Sequence, residues 1–118
     1  MKVVLLSKDL MFISRVKEVA TARQREAVVV KNEAALVAAL TLAGGDSKGV
    51  VLIDLEKSPL SLEVLAKVLS TVDSSMWRCV GFYSHVHVET AKQAQAVGIQ
   101  EVMPRSKFVQ LLPALFES

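Results

Sequence analysis

The sequence has one cysteine, three prolines and five glycines in 118 residues, and each shortage excludes something. The single thiol, Cys79, closes no internal disulfide, so this is not a small domain stapled by bridges. It opens the apolar stretch Cys79-Val80-Gly81-Phe82 and reads as an inert core thiol. There is no repeat and no low-complexity tract, and the apolar fraction argues against a disordered chain. Aromatic residues make up 5% of the chain, the net charge is +2, and no basic block alternates with aromatics. Direct nucleic-acid binding is therefore not expected. No apolar run nears the roughly 20 residues of a membrane span. Lys2 and then Lys8-Asp9 interrupt the N-terminal apolar segment before signal-peptide length, so a cytoplasmic chain without membrane contact is expected. A Gly-rich phosphate loop, a dinucleotide fingerprint and a G-x-S-x-G elbow are all missing, which leaves ordinary nucleotide-binding and hydrolase enzymes without support.

What the sequence does have is apolar residues, 52% of the total, in short blocks of two kinds. Val50-Val51-Leu52-Ile53-Asp54-Leu55 is a continuous β-branched run after Gly49 and reads as a central parallel strand covered on both faces. Lys2–Leu6, Ala27–Val30, Cys79–Tyr83 and Glu101–Met103 read as four further strands. Between them apolar residues recur at helical spacing. Phe12, Ile13, Val16, Val19 and Ala20 follow a cap at Ser7 or Asp9, and Leu36, Ala39, Leu40 and Ala43 follow Asn32 and stop at Gly44-Gly45. Leu62, Leu65, Ala66, Leu69 and Val72 mark a third helix, Ala91, Ala94 and Val97 a fourth, and Phe108, Leu111, Leu112 and Leu115 a fifth over Lys107–Phe116. Pro113 is expected to kink or shorten that last helix. Arg15, Lys17, Arg23 and Arg25 read as a solvated basic face.

Five strands alternating with five helices predict a single α/β domain over residues 1–118, with right-handed crossovers and helices on both sides of a parallel sheet. The doubly wound order 2-1-3-4-5 sets strands one and three side by side at the switch point, where open sheets of this kind place their ligands. Asp54 ends strand three there and faces the run Ser7, Lys8, Asp9 after strand one. Taken alone, Asp54 serves equally well as a cap for the turn or helix that follows. Two histidines, His85 and His87, lie in the loop after strand four, and without a third ligand they predict surface residues rather than a metal site.

The ordered set of Asp54 ending strand three, Ser84 ending strand four, the approach Gly98-Ile99-Gln100-Glu101-Val102 to strand five and a basic residue after it resembles the CheY-like receiver domain of bacterial response regulators. The resemblance covers essentially the whole chain and implies the flavodoxin-like three-layer fold. It also implies roles: Asp54 at the phosphoacceptor position, Ser84 as the hydroxyl that contacts the phosphoryl group, and Arg105 where the family has a lysine. Ser7, Lys8 and Asp9 occupy the stretch where the family carries the acidic pair that binds magnesium, and Ser106 stands where it has a proline. An ammonium where a carboxylate belongs weakens magnesium ligation, so no cofactor is expected. Two states of the site follow: a metal-free one in which Lys8 pairs with Asp54, and a phosphorylatable one using Asp54 and Asp9. The resemblance further implies a non-enzymatic protein-interaction module in two-component signalling. Its partner would be a histidine kinase, an output protein or a second copy of the chain, and the interaction face would draw on Lys92, Gln95, Glu101, Arg105, Lys107 and Phe108. A small-ligand-binding flavodoxin-like domain is a further alternative.

Overall fold

The computed structural model describes residues 2–41, 48–72, 75–84 and 88–117. The expected helix stop at Gly44-Gly45 and the two histidines, His85 and His87, lie outside the described residues. Five parallel strands form one sheet in the order 2-1-3-4-5, as the alternation predicts. They are β1 (Lys2–Leu6), β2 (Ala27–Val29), β3 (Gly49–Asp54), β4 (Trp77–Tyr83) and β5 (Glu101–Pro104). The crossovers are α1 (Leu10–Ala22), α2 (Glu33–Thr41), α3 (Leu62–Leu69) and α4 (Val88–Ala96), and α5 (Arg105–Leu115) closes the chain.

Side chains alternate along a strand, so each strand feeds two cores. Val3 and Leu5 of β1, with Val50 and Leu52 of β3, pack with Phe12, Val16, Phe82, Phe108 and Leu112 under α1 and α5. Val4 and Leu6, with Val51 and Ile53, pack with Leu36, Leu65, Val68, Trp77 and Ile99 on the opposite side. Each such side chain contributes about 1.5–3 kcal/mol when fully buried, which fixes the register and therefore which loop residues face the centre. Phe82 stacks on Phe108 at 4.2 Å between centroids, and Phe12 tilts against Phe82 at 4.8 Å.

The elements differ from expectation at a few ends. Trp77 and Arg78 belong to β4, because Trp77 lies across Gly49, where a Cβ would meet its ring at 2.3 Å. Only glycine permits that approach. The last helix begins at Arg105, two residues ahead of the expected Lys107, because Pro104 supplies the extended backbone that enters it (φ −62°, ψ 150°). Pro113 sits inside α5, which runs on to Leu115. Asp9 caps α1, its Oδ1 accepting from the Phe12 N–H at 3.2 Å, and Ser7 is left free for another partner. Asn32 caps α2 through Ala35 N–H at 2.7 Å, and Gly98 ends α4 at a φ of +101°, in the left-handed region where glycine is favoured.

Candidate functional site

The connections after β1, β3, β4 and β5 meet at the C-terminal edge of the sheet, around Asp54. β1 and β3 are in register with Leu5 opposite Leu52. The alternation that sends Val3 and Leu5 under α1 also sends Ser7 that way, and Val50 and Leu52 carry Asp54 with them. Ser7 and Asp54 therefore meet. The Ser7 hydroxyl donates to Asp54 Oδ2 at 2.9 Å, and the two residues are 2% and 4% exposed. The other carboxylate oxygen, Oδ1, accepts from the backbone N–H groups of Glu56 and Lys57, each at 3.1 Å. Ser7 Oγ accepts in turn from Asp9 N–H at 3.1 Å. Asp54 thus serves as a turn cap as well as standing at the switch point.

Lys8 is not the partner of Asp54, contrary to the expected pair. It follows Ser7 by one residue, so the alternation that brings Ser7 onto Asp54 turns Lys8 aside from it. Its side chain is exposed and takes no ion pair among the described residues, while its backbone N–H donates to Lys57 carbonyl oxygen at 2.8 Å. The charge that does face the site comes from α5. Arg105 Nη2 donates to Asp9 Oδ2 at 3.1 Å, and the guanidinium lies 4.2 Å from the centre of the Phe12 ring. Lys57 Nζ stands 3.7 Å from the same oxygen. The Phe12 N–H first, and then the hydrogen bond from Arg105, hold the Asp9 carboxyl below its ordinary value near 3.8, with Lys57 adding to the effect against the opposing cost of burial.

Ser84 ends up on the rim, exposed and held by Glu56: its N–H donates to Glu56 Oε1 at 2.5 Å and its hydroxyl to Oε2 at 2.7 Å. Glu56, Lys57 and Phe12 are thus parts of the site that the sequence reading missed. The signal for the first two was their spacing, two and three residues after an aspartate, which is that of a side-chain-capped turn. No three His, Cys, Asp or Glu side chains gather as metal ligands among the described residues.

The expected interaction face is divided. Lys92, Gln95 and Lys107 are exposed on α4 and α5. Phe108 is fully buried against Phe82 and cannot contact a partner, because the α5 face that carries Leu112 and Leu115 carries it too. Glu101 begins β5 at the opposite end of the strand from Arg105 and is gripped by Arg78, at 2.5 Å from Nε and 2.7 Å from Nη2. That grip holds its carboxyl below the ordinary range. Cys79 is 5% exposed, and burial pushes its thiol up to about 11, so it holds little thiolate at neutral pH.

No protein-family model matches the sequence, and no curated protein does. Among solved structures the chain is similar to the phosphorylated cyanobacterial phytochrome response regulator RcpA, with a TM-score of 0.67 and 18% identity over 98% of this chain and 91% of that one. The likeness covers both chains nearly end to end and shows the fold: five strands, five helices and the sheet order of a response-regulator receiver domain. No helix among the described residues is long and apolar enough to cross a membrane.

Proposed function

We propose that this chain is an atypical receiver domain that signals by protein contact, with its aspartate sealed rather than used for magnesium-dependent phosphoryl transfer. The observation that carries the reading is the Ser7–Asp54 hydrogen bond. It places a neutral hydroxyl on the buried carboxylate, at the stretch where the resemblance calls for a metal-binding acid. Magnesium favours near-octahedral oxygen ligation at 2.0–2.1 Å and takes direct carboxylates where it can. Here Asp9 is already held by Arg105 and Lys57, and both oxygens of Asp54 accept from protein donors. The donor set does not fit the ion.

The same hydroxyl also stabilises one arrangement of the β1–α1 and β3–α3 connections without phosphate. In this reading the module is not an enzyme, works in the cytoplasm, and presents a fixed surface to a protein such as a histidine kinase or an output component. The exposed Lys92, Gln95 and Lys107 are candidates for that surface. Incubation with acetyl phosphate and magnesium should leave the intact mass unchanged. A stoichiometric gain of one phosphoryl group, lost in Asp54→Asn, would overturn the proposal in favour of a phosphorylatable site.

A further inference from the structure

The charge at the C-terminal edge is distributed unevenly. Around the switch point three carboxylates are engaged by the protein: Asp54 by Ser7 and two backbone N–H groups, Asp9 by Arg105 and Lys57, and Glu56 by Ser84. Two lysines that follow β1 and β2 are not. Lys8 and Lys31 are exposed and take no ion pair among the described residues, and Glu33, two positions beyond Lys31, pairs instead with Lys67 at 3.4 Å. Between them lies a cleft of about 460 Å³ lined by Ser7, Lys8, Leu10, Ile13, Lys31 and Pro59. These residues come from α1 and from the connections after β1, β2 and β3, three strands adjacent in the sheet and bracketing its switch point. The lining has two cations and one hydroxyl, no acid, and three apolar side chains. One of these, Leu10, leaves 76% of its surface in water.

From this arrangement we infer that the cleft is a binding site for a small amphiphilic anion: a phosphate or carboxylate group held between Lys8 and Lys31, on an aromatic or aliphatic body that covers the exposed Leu10 and the half-buried Pro59. Small-ligand sites are concavities of roughly 300–1,000 Å³, mostly apolar, with a few polar groups that fix orientation, and in open α/β sheets they lie at this edge. The two ammonium groups are point charges on flexible stems and adapt to either kind of anionic head. A ligand seated there touches the connections after β1 and β3, which are tied to each other through the Lys8 N–H to Lys57 carbonyl bond, and so bears on the same loops that hold Asp54. The inference goes beyond the signalling role and holds whether or not Asp54 accepts phosphate.

The test follows backbone amide shifts of the full chain, labelled with nitrogen-15, in magnesium-free buffer during titration with 1-naphthyl phosphate, 1-naphthol or inorganic phosphate. The aromatic phosphate should shift Ser7, Lys8, Leu10, Ile13 and Lys31 saturably. Inorganic phosphate and the uncharged naphthol should each bind about tenfold more weakly or worse. The double variant Lys8→Gln/Lys31→Gln changes only exposed side chains and should lose at least about tenfold in affinity, on the scale of one charge-assisted hydrogen bond. Shifts centred elsewhere, equal binding by inorganic phosphate alone, or undiminished affinity in the double variant would each overturn the proposal. The comparison of three probes on the parent chain decides the matter even if the variant folds poorly. Because magnesium and acetyl phosphate are absent, failure here is separable from failure of the signalling reading.

Discussion

Toward α5 the C-terminal edge is closed by an ion pair laid over an aromatic ring, whereas toward β2, between α1 and the connection that carries Lys31, the same edge opens between two lysines. Arg105 covers Phe12 and holds Asp9, and beneath them Phe12, Phe82 and Phe108 fill the core. Across β1, Lys8 and Lys31 face a cleft with no acid in its lining. The difference turns on two neighbours in sequence: Ser7 is buried against Asp54, and Lys8 is exposed. An incoming metal ion would have to displace Arg105 from Asp9 and Ser7 from Asp54, while an incoming anion would displace no protein contact at the lysines. On the proposed reading, one edge resists cations on one side and accepts anions on the other.

The sharpest way to break this comparison is Ser7→Ala. It removes the donor to a carboxylate oxygen that is almost wholly buried, and an unsatisfied group of that kind costs about 1–3 kcal/mol. The loss should appear as a lower midpoint in urea at neutral pH, with the slope unchanged. A shift no larger than the roughly 0.5 kcal/mol typical of surface substitutions would mean that the two backbone N–H groups satisfy Asp54 on their own.

Much of this arrangement was legible beforehand. The order of the strands, the central position of Val50–Ile53 and the location of Asp54 follow from apolar blocks and from short connections. The partner of Asp54 was misread as Lys8 because charge was given more weight than alternation. The period-two count through Val3, Leu5 and Ser7 was available and points to the serine. Phe108 was read both as a core anchor and as a surface contact, and its helical spacing with Leu112 and Leu115 already favoured the core. What could not be seen is what depends on three-dimensional closure: Arg105 reaching back over 96 positions to Asp9, and Glu56 clamping Ser84. No local pattern encodes those pairs.

A smaller effect is expected on the closed side. Arg105→Ala removes the cation over Phe12, a contact worth about 0.5–1 kcal/mol where partly exposed, together with the second-largest influence on the Asp9 carboxyl. Asp9 titrates lower in the fold than in the unfolded chain, so its stabilising contribution is complete above its ordinary value near 3.8 and is lost as pH falls below that through the folded value. Arg105→Ala should therefore flatten the acid limb of the stability profile below about pH 4 as well as lower it at neutral pH. The Phe12 N–H still donates to Asp9 in the variant, so part of the slope should survive. An acid limb identical to that of the parent would show that Arg105 is held by its ring contact alone.

The smallest effect belongs to the open side, and it discriminates most sharply between the two faces. Had Lys8 been the buried partner of Asp54, Lys8→Ala would cost on the order of 3–5 kcal/mol, the range for stripping one member from a buried ion pair. With the side chain in water and the hydroxyl of Ser7 in its place, the expected change is within about 0.5 kcal/mol in either direction. Its backbone N–H, which ties the β1–α1 connection to Lys57, survives the substitution, so the loop should keep its place. Lowering the positive charge between Lys8 and Lys31 even relieves a repulsion, and that gain should fade as salt is raised, because exposed charges are screened over roughly 10 Å at 0.1 M ionic strength. Urea midpoints for Lys8→Ala and the parent, measured at low and high salt, check both parts. A loss of several kcal/mol would place the lysine inside the site, and the open face would then be a closed one.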